Sequence, residues 1–116
     1  MRTITDKNHR TIAFLETETH IETQVDAFLV DRRAQSKSEG TLGFYRQKLA
    51  LFGEYCDAQG ITATTQLTPN LIRNFILWLQ QRGHNDGGVH AFYRTVRTFL
   101  YWWEEEYEPE GWKNPI

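Results

Sequence analysis

Apolar residues recur at steps of three and four through most of the chain, a period that predicts amphipathic helices. The first helix is expected over about Glu22 to Ala34, with Ile21, Val25, Phe28, Leu29 and Arg32 on one side and Lys37-Ser38 as its break. Ser38 is a good N-cap for a second helix, and Glu39 places negative charge at its positive end. Leu42, Tyr45, Leu49, Phe52 and Cys56 share a face there, and Phe44, Leu51 and Tyr55 widen it, so this helix is expected to be mostly buried. Its polar arc holds Gly43, Arg46, Gln47 and Glu54, and Gly60 is the expected stop.

A Thr-rich connector, Ile61 to Leu67, leads to Thr68-Pro69, a cap followed by a first-turn proline whose missing N–H costs nothing. The third helix buries Leu71, Ile72, Phe75, Ile76, Trp78 and Leu79 and ends at Gly83. His84 to Gly88 reads as a turn, because Asn-Asp-Gly-Gly is hostile to helix. The fourth helix is expected from about Val89 to Tyr107, with Val89, Phe92, Val96, Phe99, Leu100 and Trp103 as its core stripe and Pro109 and Gly111 closing it. Residues 1–20 lack clear periodicity and read as a loosely held arm or a short extra element. No strand pattern or internal repeat stands out, so the expected class is all-α: a compact orthogonal bundle of four helices over 21–113, with 114–116 starting a linker.

The length, 116 residues, suits one domain, and 40% apolar with 24% charged residues is a globular balance. The longest apolar runs, Phe75 to Leu79 and Phe99 to Trp103, are five residues, against the roughly twenty that a membrane-spanning helix needs. No secretory signal is visible, and the single Cys56 fits a reducing cytoplasm.

Charge changes the picture more. The net charge of −2 hides a basic middle: residues 32–97 carry nine Lys/Arg and four Asp/Glu, while both flanks are acidic. A basic centre between acidic ends suits a partner that is a polyanion. The sharpest feature is on the fourth helix, where His90, Arg94, Arg97 and Tyr101, spaced by 4, 3 and 4, line one ridge away from the core stripe. Taken alone the ridge reads first as an ordinary solvated face with two arginines. The mouth of the second helix adds Lys37, Ser38 and Thr41, with Arg46 and Gln47 on its polar arc; a helix N-terminus with small hydroxyls attracts phosphate, although Ser38 is also simply a cap.

Catalytic patterns are thin. There are two serines and no nucleophile elbow, the four histidines and one cysteine lack metal spacing, and the Glu104–Glu106 run reads as a solvated helix end. Neither a cofactor nor a metal is expected.

Ser38, Thr41, Leu42, Tyr45, Arg46, Leu49 and Phe52, in their spacing, resemble the second helix of the core-binding domain of tyrosine recombinases, the phage integrase and Xer-type enzymes. Leu67-Thr68-Pro69 before a Phe-, Leu- and Trp-rich helix, Val96-Arg97 with Phe99, Leu100 and Trp102, and Asn114-Pro115 agree with that family. The resemblance runs from about Ile21 to Ile116. It implies a SAM-like helical domain forming half of a clamp on a recombination site, with the second and fourth helices toward double-stranded DNA. Carried to matching positions, Lys37, Ser38, Thr41, Arg46 and Gln47 would serve on the second helix. Asn85, His90, Arg94 and Arg97 would serve at and along the fourth, with Asn85, His90 and Gln47 reaching base edges. Implied partners are DNA, a C-terminal catalytic domain of the same protein that would hold the nucleophilic tyrosine, and neighbouring recombinase protomers; no membrane is implied. The alternative is a helical protein-interaction domain using Trp102, Trp112 and Tyr101.

Overall fold

Most of the helix ends carry the side-chain or backbone chemistry that such ends need. In the computed structural model, which describes residues 2–5, 11–14 and 20–116, the helices are α1 (Ile21–Ala34), α2 (Glu39–Ala58), α3 (Pro69–Gln81) and α4 (Asp86–Tyr107). Three of the four have a side-chain cap. Ser38 Oγ accepts from Thr41 N at 3.1 Å, Thr68 Oγ1 from Leu71 N at 3.1 Å, and Asn85 Oδ1 from Gly88 N at 2.8 Å. Such a cap satisfies one of the amides that the first turn leaves unpaired. At the far ends of α2 and α3, Gly60 (φ +75°) and Gly83 (φ +90°) take the left-handed conformation that a Cβ would disfavour.

The start of α4 corrects the sequence expectation by three residues. Asp86, Gly87 and Gly88 are helical rather than part of a turn. Asn85 explains why: its cap holds Gly88 N, and Asp86 sits at the positive end of the helix dipole, so local interactions offset the poor propensity of two glycines.

Ahead of the bundle, β1 (Arg2–Thr5) and β2 (Thr11–Phe14) pair antiparallel, with Ile4 opposite Ile12 and Arg2 opposite Phe14. No strand pattern was expected here, because two runs of four residues are too short for an alternation of period two to stand out. The all-α class describes the domain that follows. The remaining residues of the expected arm, including the segment that joins β2 to His20, lie outside the described residues.

The connector between α2 and α3 is tied down from both sides. Ile21 N donates to Thr62 O at 2.8 Å, joining the start of α1 to it. Gln66 Oε1 accepts from both Thr62 N (3.0 Å) and Ala63 N (3.1 Å), closing the 3-10 turn Thr64–Gln66. Between α1 and α2, Ser36 adopts φ +63°, and Lys37 N returns to Arg32 O at 3.2 Å.

The core is largely aromatic. Phe28, Phe52, Phe75, Phe99 and Trp103 are fully buried, and their rings meet mostly edge to face, as for Phe28 and Phe99 at 5.7 Å and Phe52 and Phe75 at 5.1 Å. Two expectations about the core shift. Phe44 is exposed (41%), because α2 turns that flank toward an open trough rather than a neighbour. Trp102 is buried (8%), because α4 is packed over a wider arc than its a/d-like stripe: Trp102 stacks on Phe99 and meets Phe28 at 5.5 Å. Past α4 the chain stays against the body. Trp112 meets Trp103 edge-on at 4.8 Å, Pro115 is buried and Ile116 packs on the core.

Candidate nucleic-acid interface

The outer ridge of α4 is displayed as its spacing predicts. His90, Arg94, Arg97 and Tyr101 are all exposed, opposite the buried line of Phe92, Val96, Phe99 and Trp103. The Arg97 guanidinium lies 5.3 Å from the Tyr101 ring centroid, which steadies a long side chain without burying its charge. Neither Arg94 nor Arg97 forms an ion pair among the described residues, so both charges are open to an external anion.

Between this ridge and the first half of α2 runs an open trough of about 460 Å³. Gly40, Thr41, Phe44 and Tyr45 line it from α2; Ala91, Arg94, Thr95 and Thr98 line it from α4. Thr41 and Arg94 therefore share one concavity. Ser38 Oγ sits beside them at the head of α2, donating to Thr41 Oγ1 at 3.0 Å, and Lys37 is exposed just before it. The hydroxyls of Thr95 and Thr98 are turned inward onto the Ala91 and Arg94 carbonyls, each at 2.9 Å, so they satisfy their own helix.

Sequence reasoning passed over Lys48, which belongs to this face. Its ammonium lies 4.2 Å from the Phe92 ring centroid and 5.2 Å from that of Phe44, bridging α2 and α4. Lys48 follows Thr41 by seven residues and Phe44 by four, so the helical period places it on the same side. That signal was available. The position of Phe92 beneath it was not.

Arg46 goes elsewhere. Five residues after Thr41, it is rotated by about 140° around α2 at 3.6 residues per turn. It lines a second trough of about 640 Å³ between α1 and α2. That trough also carries Glu22, Asp26, Glu54 and Asp57, so Arg46 is the one Lys/Arg among four carboxylates. The structure brings Thr41 and Arg94 together and does not bring Arg46 to them. Gln47 is exposed and lines neither trough. Asn85 uses its Oδ1 as the α4 cap, which leaves its amide N–H groups to donate outward.

The surface suggested for protein docking is reduced. Trp102 is buried and Trp112 is half-buried against Trp103, so Tyr101 alone of the three is exposed. Among the described residues, no group of three or more His, Cys, Asp or Glu is placed to hold a metal ion, and no helix is long and apolar enough to cross a membrane. Cys56 is buried between α2 and its neighbours, and desolvation pushes its thiol up to about 12. It is thus a protonated core side chain at neutral pH.

Four helices, three of them with side-chain caps, an aromatic core and a trough between the second and fourth helices that Thr41 and Arg94 line make up a small helical module. The chain belongs to the family of phage integrase N-terminal SAM-like domains, whose model matches residues 25–106. It is thus a tyrosine-recombinase-related domain, of the kind concerned with DNA recombination and integration. No curated protein and no solved structure matches the chain.

Proposed function

We propose that this domain is the core-binding half of a tyrosine recombinase clamp, holding double-stranded DNA against the α2/α4 face during integration or site-specific recombination. The observation that carries the reading is the division of charge. Arg94 lines a trough with Thr41, and Lys48 bridges its two helices, while carboxylates collect in the α1/α2 trough and along the end of α4. A duplex is repelled by the acidic regions and attracted to the α2/α4 face, which fixes its side of approach.

On this reading Lys37, Lys48, Arg94 and Arg97 neutralise phosphates, and Ser38 and Thr41 place the positive end of α2 against the backbone. His90 and the free amide N–H groups of Asn85 reach toward base edges, as does Gln47 from the exposed arc of α2. Cleavage chemistry belongs to a C-terminal catalytic domain of the same protein, and neighbouring protomers on the DNA complete the assembly. Amide shifts of the isotopically labelled domain, followed as a duplex is added at low salt, test the assignment. Shifts concentrated at Thr41, Phe44, Arg94 and Thr98 are expected. Shifts confined to the α1/α2 trough, or none at millimolar duplex, would refute it.

A further inference from the structure

Four large apolar side chains are exposed among the described residues: Val30, Phe44, Leu77 and Tyr101. Of these, Phe44 alone lines the α2/α4 trough, with Thr41 and Arg94 as co-lining neighbours. Its ring is held in place from two directions. Tyr45 meets it edge-on at 6.3 Å, and the Lys48 ammonium sits 5.2 Å from its centroid. The ring is left 41% open beside the Lys48 ammonium, in a trough that Arg94 also lines, so it offers an apolar face to whatever fills that trough.

The anion partner explains the ring. Lys48 beside Phe44 and Arg94 on the α4 wall of the same trough, in neutralising phosphates, draw this flank of α2 toward the groove. On the major-groove edge of a base pair, the one apolar group is the C5-methyl of thymine, and a Phe side chain is among those that contact it. We propose that Phe44 is a specificity-determining residue that packs on a thymine methyl in the major groove, favouring A·T pairs at that position of the bound site. The proposal rests on the reading of the α2/α4 face as the DNA-binding surface.

The test is a selection of bound duplexes from a randomised pool, followed by replacing each thymine of the selected site with uracil, which removes the methyl and leaves the pairing edge intact. Wild-type protein is expected to lose about fourfold in affinity at one position, the factor corresponding to the roughly 0.8 kcal/mol of one methyl-sized group buried. Phe44→Ala is expected to bind the thymine duplex about as weakly as wild type binds the uracil duplex, and to be indifferent to the replacement. Phe44→Leu should keep part of the discrimination. Salt-sensitive binding by wild type with no selected thymine, or a Phe44→Ala variant that still discriminates fully, overturns the role of Phe44 and leaves the DNA-binding reading standing. Absence of salt-sensitive DNA binding by wild type overturns both. Circular dichroism of Phe44→Ala, a partly exposed position, checks that the fold is retained.

Discussion

Removing Arg94 and Arg97 together changes the salt dependence of DNA binding in a way that can be calculated. The α2/α4 side presents Lys37, Lys48, Arg94 and Arg97, all on or beside the trough and ridge. If each neutralises one phosphate, the slope of log affinity against log salt is about −0.9 for each contact, or about −3.6 in all. Raising salt from about 50 to about 200 mM then weakens wild-type binding by about 150-fold. The Arg94→Ala/Arg97→Ala variant keeps two contacts, a slope of about −1.8 and a loss of about 12-fold over the same range. Arg46→Ala keeps the wild-type slope, because Arg46 stands among Glu22, Asp26, Glu54 and Asp57 in the other trough. Fluorescence anisotropy of a labelled duplex, titrated at four or more salt concentrations, measures all three. Both arginines of α4 are exposed, so their removal leaves the core untouched. An unchanged slope in the double variant, or a slope change of equal size in Arg46→Ala, would show that the duplex does not lie on the α2/α4 face.

Three further outcomes concern stability. Asn85→Ala removes the cap from Gly88 N and costs about 1 kcal/mol, visible as a lowered melting temperature; no change would mean that Asp86 alone holds the α4 start. Phe75→Ala empties the site where Phe52, Tyr55, Trp78 and Phe92 converge and costs about 3–5 kcal/mol in chemical denaturation, and a loss below about 1 kcal/mol would contradict the packing described. Cys56 keeps its proton in the folded state up to about 12 while the unfolded thiol ionises near the ordinary value of 9.0, so the unfolded chain binds fewer protons between these limits. Stability present below about pH 9 is therefore lost as pH rises toward 12; burial raises Tyr55 and Tyr107 in the same direction. Urea denaturation at stepped alkaline pH should show Cys56→Ala with a shallower decline than wild type, and parallel curves would exclude the thiol as a contributor.

The amino-acid sequence by itself determined where the helices start and stop and which stripe of each is apolar. Caps such as Ser38 and Thr68, the stops at Gly60 and Gly83, and the three-four spacing of Phe92, Val96, Phe99 and Trp103 act within one or two turns, so their meaning is written locally. The exposed ridge of His90, Arg94, Arg97 and Tyr101 was legible for the same reason. The start of α4 at Asp86 is set just as locally, since the Asn85 cap on Gly88 N outweighs the two glycines that argue for a later start.

Tertiary structure decided which flanks of those helices meet. Arg46 and Lys48 stand two residues apart in the chain and about 200° apart around α2, but only the packing of α1 and α4 against that helix sets Arg46 among carboxylates and Lys48 onto Phe92. Trp102 was buried and Phe44 left open by the same packing. A helical period gives angles around a single axis, but the neighbours that turn an angle into a core, a trough or an open face come from residues distant in the chain.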